Sequence, residues 1–167
     1  MIQSIITVIT PCYNEGQVIT QFLASLEGIL ATLQLPFRVV VVNDGSTDDT
    51  ARHLSSFHFK ASNMKLDVVH LHENMGHQRA ICEGFAYART NGSACYIVMD
   101  SDGEDSPSVI PLLLQHMDAA IVHVVRSRRR ESGLFRLCYY SYRVLFRMLT
   151  GRKMRYGNFC LISHNVL

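Results

Sequence analysis

Two rhythms of apolar and polar residues alternate along this chain. Short runs rich in β-branched residues occupy Ser4–Thr10, Val39–Val42, Leu66–Leu71, Tyr96–Met99, Ala119–Val125 and Asn158–Ser163. Each predicts a strand, and the unbroken apolar runs Val39–Val42 and Tyr96–Met99 predict buried ones, the latter on both faces. Between them the spacing turns helical. Val18, Phe22, Leu26, Ile29 and Leu33 define a helix over Gly16–Leu33 that Pro36 breaks. Ser46 or Thr47 is placed to cap a helix opened by Asp48 and Asp49, whose carboxylates suit its positive end. Further helices are predicted over Gly76–Arg89 and 132–149. Strands alternating with helices predict an α/β three-layer sandwich with a mostly parallel central sheet. No repeat or low-complexity linker interrupts it, so residues 1–167 read as a single domain.

Right-handed crossovers bring the carboxyl ends of such strands to one edge, where open α/β sheets place ligands. Three of those ends carry polar groups: Tyr13 with Glu15, Asp44, and the run Asp100-Ser101-Asp102-Gly103-Glu104-Asp105. Four carboxylates this close repel one another unless a cation sits among them. In extended backbone Asp100 and Asp102 face the same way and can share an ion. Oxygen-only ligands favour Mg²⁺ or Mn²⁺ over zinc. The blander reading is an acidic loop that caps a strand, and Asp44-Gly45 alone is an ordinary turn. No glycine-rich dinucleotide fingerprint, P-loop or nucleophile elbow is present, which argues against oxidoreductase, P-loop NTPase and hydrolase. His70 and His72 lack a third ligand and read as strand-end histidines. His77-Gln78-Arg79 opens a helix after Gly76, and either a ligand or plain solvent fits its first turn.

Composition adds an asymmetry. Residues 1–125 hold 6 Lys/Arg against 13 Asp/Glu, a balance of −7, whereas residues 126–155 hold 10 Lys/Arg against Glu131 alone, a balance of +9. An acidic centre followed by a basic segment suits a phosphate-bearing ligand held between a cation and arginines. The helix over 132–149 sets Arg136, Arg143 and Arg147 on one face amid apolar residues. It is therefore expected either to pack on the sheet and on a partner or further segment, or to lie at an interface with its arginines toward anionic headgroups or a lipid-carrier phosphate. No aromatic-interleaved platform accompanies the basic run, so nucleic acid is not an expected partner. Five widely spaced cysteines without a Cys-x-x-Cys pair, and a first stretch without a basic leader, point to a cytoplasmic protein with reduced thiols, at most at the cytoplasmic face of the membrane. Self-association stays open.

Four segments then carry a likeness: Pro11-Cys12-Tyr13-Asn14-Glu15, Val42-Asn43-Asp44-Gly45-Ser46-Thr47-Asp48, Asn74-Met75-Gly76-His77-Gln78-Arg79-Ala80 and Asp100-Ser101-Asp102. In order and spacing they resemble family 2 glycosyltransferases of the GT-A fold. Within that family they look most like the polyprenyl-phosphate sugar synthases, similar to dolichol-phosphate mannose synthase. The resemblance implies an inverting transferase that uses a nucleotide-diphosphate sugar and Mg²⁺ or Mn²⁺. It implies that Pro11, Tyr13, Glu15 and Asp44 hold the nucleoside, joined by Gly76 and Arg79. Asp100 would then stand near ribose and metal, Asp102 on the metal, and Glu104 as a further ligand. Asp102, Asp105 and Arg126 would serve the reaction, and Arg129, Arg155 and Asn158 the acceptor.

This sequence departs from the branch in two ways. Met154-Arg155-Tyr156-Gly157-Asn158-Phe159 lacks the acid often found before the Gly-x-Phe element, and the chain stops at Leu167, where relatives continue into interface or membrane helices. A sugar hydroxyl normally needs a positioned base. A lipid phosphate, with a second pKa of about 6, already carries its attacking charge at neutral pH. A polyprenyl-phosphate acceptor is therefore expected. The alternatives are a saccharide hydroxyl served by Asp105 or Glu104, a nucleotide-sugar-binding domain without turnover, and a nucleotidyltransferase.

Overall fold

Residues Ile5–Cys12 form strand β1, buried over all but its first position. The computed structural model describes residues 5–90, 92–125, 148–149 and 157–166. After β1 come α1 (Ile19–Leu30), β2 (Phe37–Asn43), α2 (Thr50–Ser56), β3 (Met64–His70), α3 (His77–Arg89) and β4 (Ser93–Val98). A short helix α4 (Ile110–Leu114) and the strands β5 (Ile121–His123) and β6 (Cys160–Ser163) complete the order. The six strands form one sheet in the order β3-β2-β1-β4-β6-β5. β1 runs parallel to both β2 and β4, and β2 is parallel to β3. β6 returns antiparallel to β4, with Tyr96 opposite Ile162.

This order fixes the layers. From β1 to β3 the chain steps outward in one direction, and it then crosses back over to place β4 on the other side of β1. With right-handed crossovers, α1 and α2 cover one face and α3 the opposite one. Ile9, Val40, Val42 and Tyr96 form the core beneath α3 with Ala80 and Ala88. Gly84 lets that helix approach: a methyl group there would lie 2.5 Å from Ile9 Cγ2. On α1 the stripe Ile19, Phe22, Leu23, Leu26 and Leu30 is buried. A fully buried side chain of this kind contributes roughly 1.5–3 kcal/mol, so packing rather than propensity holds the helix.

The predicted elements appear with shifted ends. α1 is shorter than the apolar spacing suggested, and residues 31–33 tighten into a 3₁₀ turn. Ser46 and Thr47 do not cap α2. Position Asp49 precedes it without a side-chain cap bond, because Ser46 and Thr47 are engaged with the loop after β1. β5 is three residues long rather than seven. The turn of 3₁₀ helix at Pro107–Val109 and α4 were not anticipated; two prolines interrupt the apolar pattern there, and each sits at a first-turn position where proline is tolerated.

The chain divides into two compact units, Met1–Val122 with Asn158–Leu167, and His123–Gly157. The first carries the site. In the second, Met148 and Leu149 are helical and exposed. The rest of the helix expected over 132–149, with Arg126, Arg129 and Arg155, lies outside the described residues. Among the described residues no helix is long and apolar enough to cross a membrane.

Candidate active site

The strand order reverses between β1 and β4, so the crevice of the sheet opens at their carboxyl ends. The residues there are those of two of the sequence segments singled out above, Pro11–Glu15 and Asp100–Asp105.

The loop after β1 is clasped to the loop after β2. Asn14 takes a left-handed conformation (φ 53°). Its N–H donates to Ser46 Oγ (3.0 Å), and its side-chain oxygen accepts the Thr47 N–H (2.8 Å). The Glu15 N–H donates to Thr50 Oγ1 (2.9 Å), and the Gly16 N–H donates to Asp48 Oδ2 (3.0 Å). Thr50 Oγ1 donates in turn to Asp48 Oδ1. These bonds, led by that from Thr50, hold the Asp48 carboxyl below its ordinary pKa. Tyr13 is left on the surface at 43% exposure.

Asp44 closes a second link. Its carboxylate is 3% exposed, with Oδ1 accepting the Met75 N–H (2.7 Å) and Oδ2 the Gly76 N–H (3.0 Å). Gly45 (φ 65°) packs directly on the backbone of Glu73 and Asn74. Asp44 thus fixes the loop leading into α3, where Gly76 (φ 90°) turns the chain and Arg79 stands exposed in the first helical turn.

The carboxylate run is not extended. β4 ends at Val98, and residues 101–105 form a series of bends with Gly103 at φ 85°. The expectation that Asp100 and Asp102 align through strand periodicity therefore does not apply. Asp100 Oδ1 lies 3.3 Å from His77 Nε2. Asp102 is exposed, its Oδ1 accepts the Glu104 N–H (2.8 Å), and it borders a cavity of about 340 Å³ lined also by Val18, Gln21, Phe22, Ser25 and Ser106. Glu104 is exposed at the tip of the loop. Asp105, expected at the reacting centre, turns inward. It is 4% exposed, its Oδ2 accepts the Asp100 N–H (3.0 Å), and its charge helps raise the Cys160 thiol, which burial chiefly pushes up to about 11. Asn158 Nδ2 lies 2.8 Å from His77 Nε2, and its Oδ1 accepts from Gln78 Nε2 at 3.4 Å. His77, Asn158 and Asp100 are thereby brought together. His70 pairs with Asn43 at the strand end, as read from the sequence.

Apolar periodicity singles out neither Ser101, Thr50 nor Asp48, although each organises this edge. Ser101 is 1% exposed, and its Oγ donates to the Pro11 carbonyl (2.8 Å). The legible signal is a small hydroxyl residue between two acids where a strand ends.

Glu15 reports the electrostatics. Burial raises its pKa, and repulsion from Asp102 and Asp100 adds to the rise, outweighing the lowering by the neighbouring Ser101 side chain and the Tyr13 backbone. Its Oε2 is buried and has no hydrogen-bond partner among the described residues. Three acids crowding one edge, one of them with an oxygen left over, is an arrangement that a hard cation relieves. Among the described residues no three His, Cys, Asp or Glu form a complete cage. Mg²⁺ and Mn²⁺ sites of the substrate-completed kind use one or two carboxylates and fill the remaining positions with water and phosphate, so these residues fit.

Solved structures share this fold. Over 97% of this chain and 57% of its own, glucosyl-3-phosphoglycerate synthase from Mycobacterium tuberculosis, crystallised with Mn²⁺, UDP-glucose and phosphoglyceric acid, superposes with a TM-score of 0.65 at 20% identity. A mostly parallel sheet with this strand order and this neighbour is the GT-A architecture of glycosyltransferases. The chain belongs to glycosyl transferase family 2, whose family model matches residues 7–167. An uncharacterised glycosyltransferase of Synechocystis is 30% identical over 77% of this chain and 39% of its own length. The undecaprenyl-phosphate 4-deoxy-4-formamido-L-arabinose transferase of Klebsiella pneumoniae is 28% identical over 89% of this chain and 45% of its own. The chain spans less than half the length of these curated relatives.

Proposed function

We propose that this protein transfers a sugar, with inversion, from a nucleotide-diphosphate sugar to a polyprenyl phosphate. The observation that carries the reading is the meeting of Pro11–Glu15 with Asp100–Asp102 at the switch point of the sheet. The name of the Klebsiella relative supports the acceptor, and the ligands of the mycobacterial synthase support the donor and the metal.

Pro11, exposed Tyr13 and Glu15 line the nucleoside end. Asp44 shapes that end through the amides of Met75 and Gly76, with Arg79 at its rim. Asp100 and Asp102 would hold Mg²⁺ or Mn²⁺ against the diphosphate, and Glu104, exposed in the same loop, is assigned as a further ligand. The cation supplies charge stabilisation as the leaving group departs. Asp105 serves by holding the Asp100 amide. The acceptor phosphate oxygen attacks the anomeric carbon from the face opposite the diphosphate. The bond from that carbon to the diphosphate oxygen breaks, and the nucleoside diphosphate leaves with the electron pair. The nucleophile is already an anion and needs no base, only positioning. Asn158 and, from the basic segment, Arg126, Arg129 and Arg155 are assigned to that positioning. The same segment would rest on the anionic face of a membrane.

Incubating the protein with a panel of nucleotide sugars, Mn²⁺ and lipid phosphates, and analysing products by mass spectrometry, tests this. A lipid-phosphate-linked sugar that disappears with EDTA and with Arg155→Glu is the expected product. Transfer to a free saccharide hydroxyl, with none to lipid phosphate, would overturn the acceptor.

A further inference from the structure

We infer that Ser101 is a positioning residue, whose buried hydroxyl replaces the backbone rung that the β1–β4 ladder loses at Pro11 and so sets where Asp100 and Asp102 stand. The inference rests on the reading of those two carboxylates as the metal-diphosphate face.

The Met99 N–H donates to the Ile9 carbonyl (3.2 Å). In a parallel pair the next rungs, two residues on, would join the residue 101 N–H to the Pro11 carbonyl and a residue 11 N–H to the Met99 carbonyl. Proline has no N–H, so the second of these cannot form. The chain leaves the sheet at this point, and residues 101–105 bend away.

That departure would strand the Pro11 carbonyl, because Pro11 is buried and a buried carbonyl needs a donor. The Ser101 hydroxyl supplies it at 2.8 Å, from a side chain only 1% exposed. With the side chain committed inward, the residues on either side are turned toward the crevice. The Asp100 N–H is handed to Asp105 Oδ2 (3.0 Å), and the Glu104 N–H to Asp102 Oδ1 (2.8 Å). The same hydroxyl neighbours the Glu15 carboxylate. One short side chain therefore ties together the two strand ends that frame the site.

Alanine removes the hydroxyl and almost nothing else. The Pro11 carbonyl then recovers a partner by drawing in the backbone N–H of residue 101, which straightens the loop and displaces both carboxylates. Calorimetry of UDP binding, with Mn²⁺ and separately with EDTA, reads this displacement. Ser101→Ala is expected to weaken UDP binding about tenfold with Mn²⁺, equivalent to about 1.4 kcal/mol, and less than about twofold with EDTA. An equal loss in both conditions, or no loss in either, would overturn the inference.

Amide hydrogen exchange of the ligand-free protein gives a second readout. Exchange at Asp100 and Glu104 should speed up in Ser101→Ala while that of Val8 and Val40 stays unchanged. Wild-type rates at both loop positions would defeat the idea. If the wild-type protein binds no UDP with Mn²⁺, the nucleotide reading fails on its own, and exchange still decides the role of Ser101. If Ser101→Ala does not fold, Ser101→Cys, which keeps only a weak donor, is read by the same criteria.

Discussion

Glu15 and Asp48 stand on the two loops that are clasped together and respond to pH in opposite directions. The Glu15 pKa is raised, first by burial and then by Asp102 and Asp100. The folded state then holds that proton more tightly than the unfolded one. Its contribution is fully present below the unfolded pKa and is lost as pH rises through the folded value. At neutral pH this group therefore costs stability relative to acid pH. Glu15→Gln should raise the melting temperature of the metal-free protein at pH 7, with the gain vanishing below about pH 4, and should weaken nucleotide binding. An unchanged melting temperature at pH 7 would contradict this. Asp48 has the reverse sign: its pKa is lowered, chiefly by Thr50, so its contribution is present above the unfolded value and lost as pH falls through the folded one. Asp48→Asn should flatten the acid limb of a stability profile measured below about pH 4, which differential scanning calorimetry would show. The Glu15 position could be read from its motif. Its environment could not, because that environment is burial in the packed edge together with Ser101, Asp102 and Asp100, all far along the chain.

At the scale of elements, the strands of the first unit and the helices α1, α2 and α3 were legible because β-branched runs and helical spacing dictate them, whereas α4 was hidden by its prolines. The end of β1 was not. Pro11 reads as a terminator, yet it sits inside the strand opposite Val42, because its nitrogen faces β4 rather than β2 and leaves the β1–β2 ladder intact. The antiparallel return of β6 also leaves no mark in a four-residue apolar run. Glycine packing was equally invisible. Gly84→Ala would press a methyl 2.5 Å from Ile9 Cγ2 and 3.1 Å from Val42 Cγ2, and overpacking of this kind costs about 1–3 kcal/mol. Gly45→Ala combines a left-handed backbone with overlap on the Glu73 and Asn74 backbone, and should cost at least as much, with about 1–2 kcal/mol from the backbone alone. Urea midpoints compared with wild type would test both. Gly28→Ala is the control, since no described atom beyond its own helical turn lies within 4 Å of its added methyl.

For the whole molecule, charge separation is the most legible property, and it predicts behaviour at membranes. If the 126–155 segment rests on anionic lipid, each arginine near the surface is worth about 1 kcal/mol, screened within roughly 8–10 Å at physiological salt. Arg143→Glu with Arg147→Glu should then reduce co-sedimentation with phosphatidylserine vesicles severalfold, and added salt should do the same to wild type. Sedimentation unchanged by the double substitution would favour a packed helix instead.

The reversal of strand order between β1 and β4 also bears on how the molecule assembles in time. Ile9 meets Val40 and Val98 across the same strand, but the second partner lies much further along the chain. Pairings close in sequence tend to form sooner than distant ones. β1, β2 and β3 can pair while β4 is still unattached, so the seam holding Asp100 and Ser101 closes late. Substitutions in that seam should leave the refolding rate nearly unchanged and accelerate unfolding, by roughly fivefold for each 1 kcal/mol lost. Stopped-flow measurements on Ser101→Ala would record this as a shift of the unfolding limb alone. The carboxylate edge would then be the last part of the molecule to form and the first to come apart.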